Sequence, residues 1–476
     1  MYEGADFLHP ICYTLLTEEH TIMALFAKGI TFSKKVTTLT LDLIDTPLPK
    51  RVILPLKQYI GEASQPVVKK GDTVKTGQLI ATAPTDTSLP LHATIAGTVK
   101  DITEQPDYRG TPTPSLIIEG DGTDTWSAPT KRKKEHKELS SFSPSEIVTR
   151  IHAAGLITTQ LVPVPLTTDL VPIDQPKTHL IDGQRITKKI DTLIITALDR
   201  EPFLGVNRYL AGIHNEELAD GITALKIITG ASCVRFVVDT HYPSHTQLKE
   251  LVAADEEETT TLTPLNGRRF PVGLAIPLIK AALGREVPLP YGHPRDVGVA
   301  VYDMNTAIAV GKAVSTQLPQ VDTLITVGGG AMPKGGIVTV RIGTPIGDVI
   351  ASLGGFRTPP AKIIIGGPMT GMAHYDLTIP ITKETDGLFA LTHDEIQLSG
   401  DYRQCINCGL CVKVCPVNLL PGVLSLYCAK DRFDMAETEG LFHCIECGCC
   451  DYVCPSRRPM VHLFRHAKHQ VMEGGQ

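Results

Sequence analysis

The apolar residues of this chain change their spacing several times, and each change predicts a different kind of structure. Over residues 50–120, short apolar runs at 52–56, 78–81, 97–102 and 116–119 are separated by Gly, Pro and Asp turns, which predicts a small β domain. Residues 144–316 alternate between strand-like runs (192–198, 234–239, 297–302 and a weaker one at 272–276) and helical stretches. Leu218, Ile222, Leu225 and Ile228 recur at helical spacing over 217–229, and Ser244 with Gln247 predicts a capping box ahead of Leu248. Such alternation predicts a parallel sheet covered by helices, with ligands beyond the carboxyl ends of the strands, after Leu198 and Tyr302. Residues 322–400 return to short strands. The glycine-rich stretch from Gly328 to Gly336 runs into the alternating strand Val338-Thr-Val-Arg-Ile342, so it predicts a hairpin turn, where a phosphate loop would open a helix. After a linker at 398–403, helix-compatible stretches at 420–431 and 434–439 and a closing helix at 457–472 surround clustered cysteines.

Ten of the 12 cysteines lie at or after Cys405, and eight of them form two identical runs. Cys405-x-x-Cys408-x-x-Cys411-x-x-x-Cys415-Pro416 recurs as Cys444-x-x-Cys447-x-x-Cys450-x-x-x-Cys454-Pro455. This is the ferredoxin-type spacing for cubane iron–sulfur clusters, in which the fourth Cys of each run ligates the other cluster. It predicts one [4Fe–4S] cluster on Cys405, Cys408, Cys411 and Cys454, and a second on Cys444, Cys447, Cys450 and Cys415. Structural zinc would call for Cys pairs separated by a longer loop, whereas here three Cys crowd into seven residues, twice. A disulfide framework would spread its cysteines along a secreted chain. Cys449 fits the ligand spacing poorly and is read as packing against its cluster; Cys428 has no assigned role, and Cys12 and Cys233 read as free thiols.

At 476 residues the chain is long enough for two to four domains. A net charge of −6 gives no reason to propose a nucleic-acid partner. No run of 18 apolar residues is present, so no transmembrane helix is predicted. Residues 1–20 lack the basic and apolar regions of a secretory signal, and Met23 is an alternative start. An oxygen-sensitive cluster protein without an export signal is expected in a reducing cytoplasm. Lys131-Arg-Lys-Lys-Glu-His-Lys-Glu138 reads as a solvated linker. His462, His466 and His469 share a helical spacing but lack a carboxylate partner, which argues against a metal site there.

Residues 66–80 and 92–99 resemble the half-barrels of biotinyl and lipoyl carriers, but the turn between them, 85–91, holds no Lys for a prosthetic group. The domain is therefore expected to be structural or a docking surface. The expected architecture is multidomain α/β plus β: an extension at 1–45, a barrel-sandwich domain at 46–125 and a charged linker at 126–143. A Rossmann-like α/β domain at 144–320, a small β-grasp-like module at 321–396 and an α-helical double [4Fe–4S] ferredoxin domain at 397–476 follow. This order resembles the C subunit of the Rnf complex, the ion-translocating ferredoxin:NAD oxidoreductase, with an α/β domain similar to the flavin-bearing NADH-dehydrogenase subunit of complex I. The segments carrying the likeness include Leu54-Pro-Leu-Lys-Gln-Tyr-Ile-Gly61, Gly284-Arg-Glu-Val-Pro288, Val340-Arg-Ile-Gly-Thr-Pro345, Ile365-Gly-Gly-Pro-Met369, Cys444-Ile-Glu-Cys-Gly-Cys-Cys-Asp-Tyr-Val-Cys-Pro-Ser456 and Phe464-Arg-His-Ala-Lys468.

The resemblance implies FMN and NADH sites, a ferredoxin or NAD(H) partner, and membrane-embedded and peripheral subunits that hold the chain on the cytoplasmic membrane face. Three departures fall on the implied flavin pocket. The family's loop, roughly G-x-G-G-A-x-F-P, reads Ala154-Gly-Leu-Ile-Thr-Thr-Gln-Leu-Val-Pro163 here, without the glycines that let backbone approach a phosphate. Its Glu-Cys-Glu-Pro reads Asp199-Arg200-Glu201-Pro202, keeping only Glu201 and Pro202 as cofactor-pocket positions. Its Gln-Asn-Val-Gly-Thr-Ala reads Tyr302-Asp-Met-Asn-Thr-Ala307, with Asp303 in place of a neutral Asn. The pocket is expected to be degraded or repurposed, with Arg200 and Glu201 as a strand-end ion pair. The favoured reading is an electron relay. The alternatives are an FMN-containing NADH dehydrogenase and a soluble reductase for a corrinoid or selenoenzyme system.

Overall fold

The computed structural model describes residues 28–32, 40–127, 139–159, 163–170, 179–181, 184–186, 189–242, 245–396 and 403–474. Residues 1–20, Cys12, the basic run 131–138, Gln160, Ser244 and the linker residues 398–402 lie outside the described residues.

The central domain is built on four parallel strands in the order Thr260–Leu265, Cys233–Asp239, Thr192–Thr196, Val299–Asp303. Every residue of Thr192–Thr196 is buried, as expected for an inner parallel strand covered on both faces. The weaker expectation at 272–276 is corrected. The fourth strand is Thr260–Leu265, and Ala275 opens the helix Ala275–Leu283. An apolar run of this kind suits a buried helix as well as a strand, and a five-residue window cannot separate the two.

The helices Glu216–Thr229 and Met304–Thr316 pack together on one face of this sheet. They meet at Gly221 and Gly311. A Cβ on either would lie 1.8 Å from a backbone carbonyl oxygen of the other helix, so only glycine permits this approach. Leu218, Leu225 and Ile228 are fully buried beneath them, as their spacing predicts. The helix after residue 244 runs Thr246–Ala253; the expected box rests on Ser244, outside the described residues, and Gln247 bonds the backbone of Asn215 across the domain.

The half-barrel is formed by the sheet Arg51–Pro55, Pro112–Gly120, Gly97–Pro106, Thr73–Val74 and a smaller three-stranded sheet. Its turn at 85–91 is pinned inward: the Leu89 N–H donates to the Tyr59 hydroxyl and Ser64 donates to the Leu89 carbonyl. The Ser88 carbonyl meets His152 of the α/β domain at 3.2 Å. A tip held this way cannot swing.

The β module is a six-stranded sheet in which Asp322–Gly328 and Gly336–Arg341 pair antiparallel, so the glycine-rich stretch between them is a hairpin turn. Residues 1–45, read as an extension, supply strands to two other units. Leu43–Asp45 forms an edge of the six-stranded sheet, and Ile30–Thr31 pairs with Arg269–Phe270 of the α/β domain. Two- and three-residue strands lack enough positions for an alternation to show.

The cysteine-rich domain is helical, with Leu410–Val414, Pro421–Cys428, Phe433–Thr438, Cys449–Tyr452 and Met460–Gly474. Leu424, Cys428, Ala436, Leu441, Phe464 and Ala467 form its core. Cys428 is thus a core thiol. His462, His466 and His469 face outward; His466 stands edge-on to Phe433, and His469 pairs with Glu473 at 3.2 Å. No helix among the described residues is long and apolar enough to cross a membrane.

Candidate functional site

Two short loops carry the cysteine runs, and they are copies of each other in backbone as well as in sequence. Asn407 and Glu446, Gly409 and Gly448, and Asn418 and Arg457 occupy matching positions in the two runs, and all six have positive φ. Four of these are not glycine, and in such residues that conformation carries a strain cost. Successive left- and right-handed residues turn backbone N–H groups toward a common centre, the concavity that suits anions and iron–sulfur clusters. The N–H groups do point at sulfur. Leu419 donates to Cys415 at 3.3 Å, Glu446 donates to Cys444 at 3.4 Å, and Gly422 and Val412 donate to Cys411.

The fold brings the eight thiols together in two groups. One cavity, of about 190 Å³, is lined by Cys405, Cys408, Cys411 and Cys454. The other is lined by Cys415, Cys444, Cys447 and Cys450, with Cys449 also on its wall. The fourth cysteine of each run therefore stands with the first three of the other. Gly422 floors the first cavity: a Cβ there would lie 3.6 Å from the Cys411 sulfur and 3.8 Å from that of Cys405. Burial pushes the Cys444 thiol up to about 12 and raises those of Cys415 and Cys450. Such thiols ionise only beside a strong local cation, and bound iron supplies one. Four thiols around each cavity, with N–H donors aimed at the sulfurs, fit a cubane cluster.

The second cavity faces the rest of the molecule. Cys447 and Cys449 are buried with Ile30 and Phe270, and the Cys449 thiol points at the Phe270 carbonyl at 3.8 Å. Cys449 thus packs the domain interface beside its run. Gly29 donates to the Val414 carbonyl at 3.1 Å. A Cβ on Gly448 would lie 3.1 Å from the Met369 carbonyl oxygen, which puts this loop against the segment Ile365-Gly-Gly-Pro-Met369. That segment in turn wraps Glu201, whose carboxylate accepts from the Met369 N–H at 2.8 Å, the Thr370 N–H at 3.2 Å and the Thr370 hydroxyl. Burial raises the Glu201 pKa despite Arg200 and these donors.

Arg200 and Glu201 are not paired as expected. Arg200 instead donates to Asp386 at 2.5 Å and to the Thr159 carbonyl at 3.2 Å. Adjacent residues at a strand end diverge, so two neighbours of opposite charge in sequence find different partners.

In an open parallel sheet the ligand crevice lies where successive connections leave in opposite directions. Here that is between Thr192–Thr196 and Val299–Asp303. All three departures from the family pattern converge there. Thr159, Asp199, Arg200, Asp303 and Asn305 line a cavity of about 30 Å³ together with Lys383 to Asp386. This is roughly room for one water, whereas ligand pockets run to about 300–1,000 Å³. The Asp303 carboxylate caps the helix Met304–Thr316, accepting from the Thr306 N–H at 2.7 Å and from the Thr159 hydroxyl at 3.3 Å. It occupies the helix N-terminus that an anion would use. Burial raises Glu384 to about 7 and lowers Lys383 to about 8. Side chains crowd this crevice, and Asp303 takes the helix N-terminus at its edge.

A larger cavity, of about 450 Å³, opens beside it, with Glu201, Pro202, Phe203, Arg208, Asp239 and Arg268 in its wall. Glu201 and Pro202, expected as cofactor-pocket positions, stand in its wall, just after Leu198, where a ligand was expected. Phe203 holds φ +71° there, which no pattern of apolar residues announces. The Phe203 ring meets Phe32 edge-on at 5.5 Å, and Phe32 meets Tyr452 of the cluster domain at 5.1 Å.

Three of these units match known protein families. Residues 24–123 match the RnfC barrel sandwich hybrid domain, 178–312 the Nuo51 FMN-binding domain and 397–455 the 4Fe-4S dicluster domain. The C subunit of the proton-translocating ferredoxin:NAD(+) oxidoreductase complex of Clostridium ljungdahlii is 33% identical over 90% of this chain and 90% of its own length. The chain belongs to the family of Rnf complex C subunits. The C subunit of the Na(+)-translocating ferredoxin:NAD(+) oxidoreductase complex of Acetobacterium woodii is 32% identical over 89% of this chain and 91% of its own length. That of the ion-translocating oxidoreductase complex of Rhodobacter capsulatus is 33% identical over 90% of this chain and 79% of its own length. The FMN-binding fold is retained over 178–312, while the crevice at its switch point is filled.

Proposed function

We propose that this protein relays electrons through two [4Fe–4S] clusters within an Rnf-type membrane oxidoreductase complex, between a soluble donor or acceptor and membrane subunits. The observation that carries the reading is the grouping of eight thiols into two four-thiol cavities in one domain. Cys405, Cys408, Cys411 and Cys454 hold one cluster, and Cys444, Cys447, Cys450 and Cys415 hold the other. Bound clusters supply one-electron storage at potentials tuned by N–H···S hydrogen bonds and exposure. The chain's own residues do the rest. Leu419, Glu446 and Gly422 direct N–H groups at sulfur, and the Glu446 carboxylate ties the second loop to Lys468 at 2.7 Å and Arg465 at 2.8 Å. The pinned half-barrel and filled α/β crevice act as scaffold and docking surfaces. The relatives are named as members of ferredoxin:NAD(+) oxidoreductase complexes. This chain's partners are accordingly other subunits of such a complex, at the cytoplasmic face of the membrane, with ferredoxin or NAD(H) at the soluble end.

A second reading, an NADH dehydrogenase with its own FMN, draws on the cavity of about 450 Å³ beside Glu201 and Pro202. There Arg208 and Arg268 would meet a phosphate, although Asp199, Glu201 and Asp239 share the wall. Cys408→Ser and Cys447→Ser, purified without oxygen, separate the two four-thiol groups. Each should lose one of the two cluster EPR signals and keep the other, with the half-barrel and α/β domains folded. Two full-intensity signals in both variants would refute the ligand sets.

A further inference from the structure

The two candidate cluster sites differ in what surrounds them. The site on Cys444, Cys447, Cys450 and Cys415 is closed off inside the molecule by Ile30, Phe270 and Met369. The site on Cys405, Cys408, Cys411 and Cys454 opens outward through a rim of large apolar side chains. Ile406 is 65% exposed and Leu420 46%, and Leu410 and Val423 stand with them on the same cavity. Leu426, one helical turn beyond Val423, extends the patch. Contiguous exposed apolar surface of this kind marks an interaction site.

Basic side chains flank the patch. From Arg403 to Lys430 the sequence contains Arg403, Lys413 and Lys430 and no Asp or Glu, and exposed acids, Asp431 and Asp434, follow directly after it. Arg403, Lys413 and Lys430 are all exposed. Lys413 lies three residues after Leu410 on the helix Leu410–Val414 and so shares its face. An apolar centre with a polar, charged rim is the anatomy of a protein interface, and complementary charge sets partner and register.

We infer that this face of the cluster domain docks a redox-centre-bearing subunit of the same complex whose contact surface is apolar at its middle and acidic at its rim. The inference rests on the relay reading. It adds that electrons cross to the partner at the outer site, while the inner site serves the α/β side. Neither the α/β domain nor the β module covers the patch, so a permanent partner accounts for its exposure better than a passing carrier with a small polar footprint.

The test uses the holo chain and membranes from cells that make the other subunits but lack this one. Rebinding of wild type should protect backbone amides of 405–411 and 420–426 from hydrogen exchange and should weaken as salt is raised. Ile406→Glu and Lys413→Glu should each reduce rebinding at least tenfold, while Tyr375→Glu, 97% exposed and outside the patch, should not. Iron content and the dithionite-reduced EPR spectrum of Lys413→Glu should match wild type. Wild-type protection that leaves 405–426 unchanged, or unimpaired binding of Lys413→Glu, would overturn the inference. If Ile406→Glu loses iron, the wild-type exchange map and Lys413→Glu still decide. Failure of the relay itself would look different, as a wild-type chain without two cluster signals.

Discussion

A thiol buried without a cation stays protonated, and the cysteines of the inner site illustrate the cost. Burial drives Cys444 to about 12 and raises Cys450 as well, so neither is a thiolate at neutral pH unless iron is bound. Iron binding therefore releases protons from these thiols. Gly422 stands at the floor of the outer site, where a Cβ would already touch the Cys411 and Cys405 sulfurs and a larger side chain would enter the cavity. Gly422→Val should expel the cluster at that end and lower iron from about eight to about four per chain. Iron analysis beside wild type checks this, and unchanged iron would show that the cluster sits away from that floor. At this scale the two four-cysteine runs, and their grouping into two four-thiol cavities, were legible because thiol chemistry is rare and its spacing strict. The backbone that presents them was not, since Glu446 and Arg457 adopt positive φ under the control of the loop rather than by their own preference.

The elements of the α/β domain show where local pattern suffices and where it fails. Glu216–Thr229 and the strand Thr192–Thr196 follow from apolar spacing, because each is long enough to repeat its period. The helix Ala275–Leu283 and the edge strand Leu43–Asp45 do not: one is largely buried and apolar, and the other takes its place from a sheet nearly 300 residues away. Asp303 was legible as a departure, but its sequence context suggested only repulsion of a cofactor. The structure gives it a positive role as the cap of Met304–Thr316. Asp303→Ala should destabilise the domain by about 1 kcal/mol, and Asp303→Asn by much less, since Asn also caps. Denaturant unfolding of the three proteins compares them.

Lys383 makes a second case between elements, donating to the Gly155 carbonyl from a fully buried position. Burial depresses its pKa to about 8, below the ordinary lysine value. Between about pH 8 and pH 10.4 the unfolded chain holds more protons than the folded one, so this group makes stability rise with pH through that window. Lys383→Met should raise the unfolding midpoint at pH 7 and flatten the rise between about pH 8 and 10. An unchanged pH profile would show that Lys383 is not the titrating group.

For the whole molecule, the order of units was readable because each has its own pattern. Their mutual arrangement was not, because it depends on contacts such as Gly448 on Met369 and Met369 on Glu201. Those contacts set the inner cluster site against the α/β domain and leave the outer one open to a partner. They also accompany the convergence of three sequence departures, far apart in the chain, on one filled crevice. The molecule keeps a flavin-binding fold, with a crowded crevice at its switch point and a larger cavity beside it. Cofactor content therefore decides between relay and dehydrogenase. Anaerobic purification followed by iron, sulfide and flavin analysis, with NADH added under visible and EPR spectroscopy, measures it most directly. The relay predicts about eight iron per chain, no flavin and clusters that NADH alone does not reduce. Stoichiometric FMN, with clusters bleached by NADH, would contradict it and make this chain the dehydrogenase.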